Sequence, residues 1–424
     1  MTVTTQQGAT SAQDAARLAG GLITGIGVVA PTGIGTDAHW RATLAGESRL
    51  GHVPAERAYA GLTTQVAGLV EGFDEDAFVE SRIQVQTDRW TWMALAATQL
   101  ALEDAGLDPA DHDPYGLSVV TASGSGGNAF GQREIHALWG QGPESVSAYQ
   151  SIGWFYAASS GQVSIRDQLK GQCGVVVSDG AGGVDAAATA NRLLRRGTDA
   201  VVVGGTEAAV SPYALACQAG RRTWSTDPDP RRAYRPFAPD AGGYVPGEGG
   251  AMLVLESPAF AARRGAGRAY AQVVATASTH DGRTTAPGTG DHGQLVRAVV
   301  LALQRAGLRA SDVDVVLADG AGDPAGDAAE RAALVEVFGT RGVPVSVPKT
   351  MTGRLCSGGA ALDLAWAALA LHHDVVPPSV GVGPDPALDL VTEPRAGTGL
   401  RTALVVARGH GGFNAAAVLR TPEP

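Results

Sequence analysis

Residues 174–185 predict a strand-to-helix turn of the kind that usually carries a catalytic nucleophile. The tip of this turn has no nucleophilic side chain. The run Gly174 to Val177 predicts a short buried strand, and Val184 to Arg196 predicts a helix that ends before Gly197. A helix start after a strand offers backbone N–H groups and the positive end of the helix dipole, which suits covalent acyl transfer. Where a Cys or Ser would be expected, the turn has Gly180. The sequence therefore predicts an acyl-transfer scaffold without its reacting group.

Other reactive side chains are few. Cys173, Cys217 and Cys356 are too scattered for a disulfide framework and form no CxxC pair. Cys356 begins a predicted helix near Arg354, and both features would lower the pKa of its thiol, so it is the one alternative nucleophile. A small buried residue is the simpler interpretation of Cys356. The nine histidines contain no HExxH motif, and the pair at 372 and 373 suits the negative end of a helix dipole, so no metal site is predicted.

Charged residues follow two of the predicted strands. Asp319 precedes Asp327 and Glu330 at a helix start, where N-capping explains the acids better than metal ligation does. Lys349, one of only two lysines in the chain, leads with Arg354 from a strand into a glycine-rich turn. A lysine between an apolar strand and such a turn is expected to have a charged partner.

The segment Gly25 to Ala30 superficially fits a dinucleotide-binding fingerprint, with Glu47 about 20 residues further on. Pro31 and Gly33 interrupt the helix that should follow, and the helical pattern begins only near residue 36. A glycine-punctuated turn after a strand is therefore favoured over an oxidoreductase site.

Composition excludes several functional classes. The chain has 424 residues, 44% of them hydrophobic, and a formal net charge of -10, which disfavours a nucleic-acid or anionic-membrane surface. Apolar runs stay well short of the roughly 20 residues that a membrane span needs. Residues 1–20 are polar, lack the features of a signal peptide and are predicted to form a disordered tail. We therefore expect a cytoplasmic protein that binds neither nucleic acid nor a membrane.

Strands and helices alternate along the chain in two similar series. The predicted strands are Leu22–Val29, Leu117–Thr121, Gly174–Val177, Ala200–Gly204 and Ala251–Leu255, then Ala271–Ala277, Val313–Ala318, Val343–Val347, Ala403–Ala407 and Ala415–Leu419. The clearest predicted helices are Asp37–Ala45, Arg89–Ala105, Val184–Arg196, Gly293–Ala306, Ala325–Phe338 and Leu355–His372. This pattern predicts an α/β protein with a parallel-rich sheet covered on both faces, duplicated as residues 21–265 and 266–424. Thr223 to Gly250 is predicted to be a long surface loop with a functional or interface role.

Over residues 22–421 the sequence resembles the β-ketoacyl synthase branch of the thiolase fold. The similar segments are Thr24–Pro31 at the opening strand, Tyr244–Ala251, and Gly409–Asn414 before the last strand. The resemblance implies duplicated βαβαβαββ halves in a layered α-β-α-β-α architecture. In active members, it implies a nucleophilic Cys at position 180 and a His at each of positions 319 and 354.

All three of those catalytic residues are replaced here, by Gly180, Asp319 and Arg354, while Lys349 is retained. This combination is characteristic of the chain-length factor, or ketosynthase β-subunit, of bacterial type II polyketide synthases. Residues 349–358, and 132–134 with 138–139, are similar to that subfamily's own motifs. One departure is that the subfamily usually carries Gln at the position of Gly180.

The resemblance implies a non-catalytic subunit that pairs with a catalytic ketosynthase α-subunit and shapes the tunnel for a growing poly-β-ketone. An acyl carrier protein would deliver the chain on phosphopantetheine, with no cofactor bound directly. The implied chain-length gate is Asn128, Gly131, Ile135 and Leu215, none of them aromatic, which favours a long product. The alternatives are a stand-alone ketosynthase-like acyltransferase or a malonyl decarboxylase using Cys356.

The chemical properties of the residues at positions 180 and 319 agree with a loss of catalysis. Glycine cannot hold an acyl chain, and a carboxylate at 319 would oppose the enolate that forms during decarboxylative condensation. We therefore expect Asp319 and Arg354 to form an ion pair in the space of the two imidazoles. Lys349 is expected to be held by Glu330 or Asp327.

Overall fold

The computed structural model describes residues 20–220, 223–282 and 292–422, so all but one residue of the expected N-terminal tail lies outside it. The strands are β1 Gly21–Ala30, β2 Gly33–Ile34, β3 Leu50–His52, β4 Val66–Gly68, β5 Leu117–Ala122, β6 Cys173–Val176, β7 Ala200–Ala208, β8 Glu248–Glu256, β9 Ala271–His280, β10 Val315–Leu317, β11 Pro344–Ser346, β12 Val375–Val376, β13 Asp389–Leu390, β14 Arg395–Ala396, β15 Thr402–Gly409 and β16 Phe413–Arg420.

The α-helices are α1 Thr36–Leu44, α2 Ser81–Gln84, α3 Arg89–Ala105, α4 Asn128–Gln141, α5 Gln150–Gly153, α6 Ala158–Arg166, α7 Gly182–Arg195, α8 Pro212–Ala219, α9 Pro258–Arg264, α10 Gly293–Ala306, α11 Pro324–Phe338 and α12 Ser357–His373. Short 3₁₀ helices lie at Ala55–Arg57, Glu75–Ala77, Pro109–Asp111, Pro114–Gly116, Pro143–Ser145, Asp179–Ala181, Ala310–Asp312 and Pro348–Met351. The predicted strands and helices are all present, with ends that shift by a few residues. None of the helices in the described part of the chain combines the length and apolar composition needed to cross a membrane.

Two sets of five strands pair in the same order, which confirms the duplication. The first set runs β6-β5-β7-β8-β1 and the second runs β11-β10-β15-β16-β9. In each set the first two pairings are parallel and the last two antiparallel. The sets join where β1 pairs with β9 at Gly21–Ile23. The predicted boundary after residue 265 falls in the connection from α9 to β9 and stays a prediction.

Helices form three layers around the two sets of strands. Helices α7 and α12 pack on each other and contact strands of both sets, so they form the middle layer. Helix α3 covers β1 and β8 on one outer face, and α10 covers β9 and β16 on the other. Helix α12 is apolar almost all round, as a core helix must be, and its buried Trp366 donates a hydrogen bond to the Thr43 hydroxyl at 2.9 Å. The α-β-α-β-α layering is therefore confirmed.

The glycines that resembled a dinucleotide fingerprint serve helix packing instead. A Cβ atom at Gly25 would lie 2.1 Å from the carbonyl oxygen of Ala101, and one at Gly27 would lie 1.9 Å from that of Ala97. Both carbonyls belong to α3, so glycine allows this helix to approach β1 closely. Strand β1 continues to Ala30 and helix α1 begins six residues later, at the predicted position.

The expectation that residues 223–250 form a surface loop is confirmed only in part, because residues 226–232 are exposed or half-buried while other parts of the segment are buried. Most of the segment is irregular, but its apolar side chains Trp224, Tyr234 and Phe237 are buried. The Tyr234 hydroxyl donates to the carbonyl oxygen of Gly320 at 2.6 Å, next to the predicted site. The Pro, Gly, Asp and Arg content suggested exposure, whereas the few aromatic residues between them determine where the segment packs.

Candidate functional site

The turn that would carry the nucleophile, residues 178–182, is sterically closed. A buried Gly180 stands at its tip, between β6 and α7. A Cβ atom there would lie 2.4 Å from the carbonyl oxygen of Arg408 and 3.4 Å from Nη2 of Arg354. Any side chain at position 180 would therefore displace the backbone of the β15–β16 hairpin.

The same hairpin is fastened to this nucleophile turn. The backbone N–H of His410 donates to a carboxylate oxygen of Asp179 at 2.7 Å. A Cβ at Gly409 would lie 2.5 Å from the carbonyl oxygen of Ser178, so only glycine allows the two backbones to meet. From the other side, the Ser357 hydroxyl donates to the Asp179 carbonyl at 2.9 Å. The segments that the sequence singled out as family motifs thus close around position 180.

Asp319 and Arg354 form the predicted ion pair. Nη1 of Arg354 lies 2.9 Å from Oδ2 of Asp319, and Nη2 lies 3.1 Å from Oδ1. The guanidinium also donates to the carbonyl oxygens of Asp319 and Gly320 at 2.9 and 3.2 Å, and to that of Arg408 at 3.3 Å. The Arg408 N–H in turn donates to Asp319 Oδ1 at 3.0 Å. The pair therefore ties three separate loops together.

This pair stays ionised. Burial by itself would raise the pKa of Asp319, but the charges of Arg354 and Lys349 outweigh burial and hold that pKa below its usual range. Burial would likewise lower the pKa of Arg354, and the Asp319 carboxylate raises it well above its usual value instead. A fixed negative charge at position 319 opposes the enolate that an imidazole would stabilise there.

The expectation that Glu330 or Asp327 holds Lys349 is wrong. Nζ of Lys349 lies 2.7 Å from Oδ2 of Asp363, on α12, and 4.0 Å from Oδ1 of Asp319. Burial raises the pKa of Asp363 to about 6, against the opposing effect of the Lys349 charge. The sequence did contain a signal for Asp363, because it is the one acid within an otherwise apolar helical run.

The two acids expected to pair with Lys349 stabilise backbone turns. Glu330 accepts the N–H groups of Asp319 and Gly320 at 2.7 and 2.8 Å, and Asp327 accepts those of Phe237 and Gly322 at 2.8 and 2.9 Å. Buried loop backbone needs such partners because it has no neighbouring strand. Asp323, not one of these two, caps α11 by accepting the Gly326 N–H at 2.9 Å. Capping therefore applies to Asp323, whereas Asp319, Asp327 and Glu330 do not cap this helix, so N-capping was the wrong interpretation for these three acids.

Cys356 is placed at the N-terminus of α12, as expected. The cation that would activate its thiol is Arg354, whose guanidinium is already bound to Asp319. The main electrostatic argument for Cys356 as an alternative nucleophile is thereby weakened.

Three of the four predicted gate residues share one face of α4. Asn128, Gly131 and Ile135 are spaced i, i+3 and i+7, and we call this the gate face. Gly131 is buried and Ile135 is 39% exposed. Leu215, on α8, is fully buried in a separate apolar cluster with Trp224. Helices α4 and α8 pack against each other, and the gate assignment itself stays a prediction.

Two buried carboxyl groups that sequence reasoning missed hold the start of α4. Glu207, near the end of β7, accepts the backbone N–H groups of Gly124 and Ser125. Asp88 accepts that of Phe130 at 2.8 Å. Burial raises the pKa of Glu207 to about 8, so this group is largely a neutral acid near pH 7. An acid inside the apolar run of β7 was the available signal.

Comparisons with known proteins agree with this geometry. Residues 22–261 match the β-ketoacyl synthase N-terminal domain and residues 270–383 match its C-terminal domain. The chain is 51% identical over 403 residues to the tetracenomycin polyketide synthase ketoacyl synthase beta subunit of Streptomyces glaucescens, covering 94% of this chain and 98% of that protein. It is 35% identical over 419 residues to the alpha subunit of that synthase, covering 95% and 97%. The solved structure of the ishigamide ketosynthase/chain length factor matches with a TM-score of 0.87 at 25% identity, covering 96% of this chain and 100% of that one.

Fold and comparisons thus define a ketosynthase-like protein, and the replacement of its three catalytic residues by Gly180, Asp319 and Arg354 stays a prediction. The chain belongs to the β-ketoacyl synthase family. Its greater identity to the beta than to the alpha subunit confirms the resemblance to the chain-length factors of type II polyketide synthases.

Removing one member of the buried ion pair should destabilise the protein strongly. We expect Asp319→Ala to lower the free energy of unfolding by about 3–5 kcal/mol, because it leaves the Arg354 charge buried without its partner. Thermal and denaturant unfolding measure the effect. The control is Glu80→Ala, which breaks an exposed pair with Arg82 and should change little. Equal stability of the two variants would contradict a structural role for the pair.

Restoring a thiol at position 180 should not restore a reactive site. We expect Gly180→Cys to cost about 1–3 kcal/mol of stability, since its Cβ collides with the Arg408 carbonyl, and to leave the thiol inaccessible to iodoacetamide. The control is Gly267→Cys, where a Cβ meets nothing within 4 Å. Unfolding curves and mass spectrometry of the alkylated proteins provide the readout. A stable variant that is alkylated at residue 180 as fast as the control would show that the turn is open.

Proposed function

We propose that this protein is the non-catalytic, chain-length-determining subunit of a type II polyketide ketosynthase. It would shape the tunnel in which a poly-β-ketone is elongated from malonyl units on an acyl carrier protein. The observation that carries the proposal is a ketosynthase framework whose nucleophile turn is closed over Gly180 and whose two imidazole positions hold the Asp319–Arg354 pair. Such a subunit would shape the tunnel and would not catalyse the reaction itself.

Exposed apolar side chains support pairing with a catalytic ketosynthase subunit. Among the residues that the structure describes, the large exposed apolar side chains other than Val85 and Tyr115 fall within residues 135–213, and they include Trp139 at 84% and Val177 at 50% exposure. The same stretch contains β6, which ends the sheet and pairs only with β5 among the described strands. Unpaired backbone groups beside apolar side chains can add a strand from another chain. We therefore place the partner's sheet beside β6.

The acyl chain would reach the shared tunnel through the partner. The acyl carrier protein would deliver it on phosphopantetheine to the catalytic cysteine of that subunit, and no cofactor would be bound by this chain directly. Closure of the nucleophile turn by Arg408 and His410 supports this one-sided delivery. Malonyl thioesters are cytoplasmic metabolites, and the cytoplasm is where we place the complex.

A stand-alone acyltransferase or malonyl decarboxylase is the competing function. It would need a nucleophile or base beside an open substrate site. Position 180 is occluded, and Asp319 is held ionised by two cations. Purified without a partner, the protein should neither condense nor decarboxylate malonyl groups, whereas the competing function requires one of these activities.

Complex formation should depend on the surface around β6. We expect Val177→Asp to weaken binding to the catalytic subunit at least tenfold, since it puts a charge into an apolar interface, and a tenfold loss corresponds to about 1.4 kcal/mol. The control is Val85→Asp, a matched change at a residue that is 64% exposed and outside this stretch. Binding is measured with co-expressed subunits by size-exclusion chromatography and titration calorimetry. Equal affinity of both variants, or a stable free monomer that ignores the ketosynthase, would contradict the proposal.

Filling the gate face should shorten the product. We expect Gly131→Thr with Ile135→Phe to remove at least one two-carbon unit, because forcing a chain past added bulk costs about 1–3 kcal/mol. A Cβ at Gly131 has its nearest neighbour at 3.7 Å, which is ordinary van der Waals contact, so the Cβ itself can be accommodated.

The matched control is Gly140→Thr with His136→Phe, on the same helix, where a Cβ at residue 140 meets nothing within 4 Å. Product length from the reconstituted synthase is read by mass spectrometry. Unchanged product length in the gate variant, with the complex intact, would show that this face of α4 does not determine product length.

A further inference from the structure

An aromatic side chain from another segment borders the gate face where α4 contributes none. The connection from α5 to α6 crosses the first turn of α4. A Cβ at Gly131 would have the Cβ of Trp154 as its nearest neighbour, at 3.7 Å. Gly131 lies between Asn128 and Ile135 on the gate face. The Trp154 side chain therefore begins beside the position that lacks a side chain.

The backbone that carries this tryptophan is fixed against α4. The Gly127 N–H donates to the Trp154 carbonyl at 3.2 Å. A Cβ at Gly127 would lie 2.0 Å from the Gly153 carbonyl oxygen, and a Cβ at Gly153 would lie 2.7 Å from the Phe130 ring. Glycine at both positions is thus required for the crossing. Because Phe130 is itself buried, the Trp154 backbone cannot move away without disturbing the start of the helix.

The Trp154 ring is not committed to the hydrophobic core. It remains 44% exposed, and within the chain it packs edge-on against Tyr156 with 6.4 Å between ring centres. Its exposed surface belongs to the stretch of apolar residues that faces the proposed partner. A large flat side chain in this position is suited to form a wall of a space enclosed between two subunits.

We infer that Trp154 is a specificity-determining residue, whose ring supplies to the tunnel wall the bulk that Gly131 lacks. The inference rests on the proposed function and refines it. Only the Cβ of Trp154 lies within 4 Å of a Cβ at Gly131, so the indole would narrow the tunnel from further out and offset the missing side chain. The growing chain is then limited by the indole, and the sequence of α4 alone overestimates the permitted length.

Removing the ring tests this directly in the complete heterodimer, supplied with acyl carrier protein and malonyl groups. We expect Trp154→Ala to lengthen the main product by at least one two-carbon unit, Trp154→Leu to lengthen it as well, and Trp154→Phe to keep the wild-type length. The control is Tyr115→Ala, an aromatic residue that is 72% exposed and lies outside the apolar stretch of residues 135–213. It should leave the length unchanged. Size-exclusion chromatography verifies that each complex assembles.

Placing an aromatic ring on α4 itself, at residue 131, provides an independent readout. In the Trp154→Ala background, Gly131→Phe should restore the wild-type product length. In the wild-type background the same substitution should crowd Trp154 and shorten the product. The two substitutions must therefore be non-additive, as expected for residues that fill one space. A side chain that only stabilises the fold would not show this reciprocal change in length.

The outcomes separate the two proposals. If the Trp154 variants keep the wild-type length while Gly131→Thr with Ile135→Phe shortens the product, the assignment of Trp154 is wrong and the proposed function stands. If none of these substitutions alters product length in an assembled complex, the proposal that the gate face determines product length is wrong as well. Lengthening by Trp154→Ala together with restoration by Gly131→Phe supports both.

Discussion

The buried pair of Asp319 and Arg354 is the interaction on which the rest of the site depends. The Arg354 guanidinium reaches carboxylate or carbonyl oxygens in the loop after β10 and in the β15–β16 hairpin, and that hairpin closes over the nucleophile turn. A buried ion pair is costly to desolvate and gains stability mainly when further hydrogen bonds satisfy it. Here the guanidinium donates to the carbonyl oxygens of Asp319, Gly320 and Arg408 besides the carboxylate. Closure of the site is therefore built into the same contacts that hold the loops together.

Under the proposed function, this arrangement would let a condensing-enzyme scaffold lose its chemistry and keep its shape. An imidazole pair must remain able to accept and give hydrogen bonds at a substrate oxygen. An arginine fixed by five acceptor contacts has no such freedom, and an ionised aspartate has the wrong charge. The retained lysine does not contradict this, because Lys349 is neutralised within the chain by Asp363. Under the proposed function, Lys349 would serve to balance the buried charge of Asp363.

The sequence was sufficient to predict the two similar series of strands, the strand-to-helix turn at Gly180 and the partner of Arg354, because each depends on local periodicity or on a motif. It was insufficient for Lys349, since Asp363 reaches it from α12 only after the layers are stacked. It was also misleading in part for residues 223–250, where composition suggested solvent but Tyr234 is bound to Gly320. Contacts between distant segments cannot be recognised from the spacing of residues along the sequence. Contacts of this kind surround the site.

Two glycines illustrate why a missing side chain does not have one meaning. At Gly180 a Cβ would meet a carbonyl oxygen at 2.4 Å, so the position is already filled by backbone. At Gly131 the nearest atom to a Cβ is 3.7 Å away, so a side chain could be added, and Trp154 stands beside that space. At Gly180 the neighbouring backbone closes the site. At Gly131 the side chain that would line the proposed tunnel must come from another segment. Both are the same letter in the sequence, and only the packing around each decides whether the interior there is open or occupied.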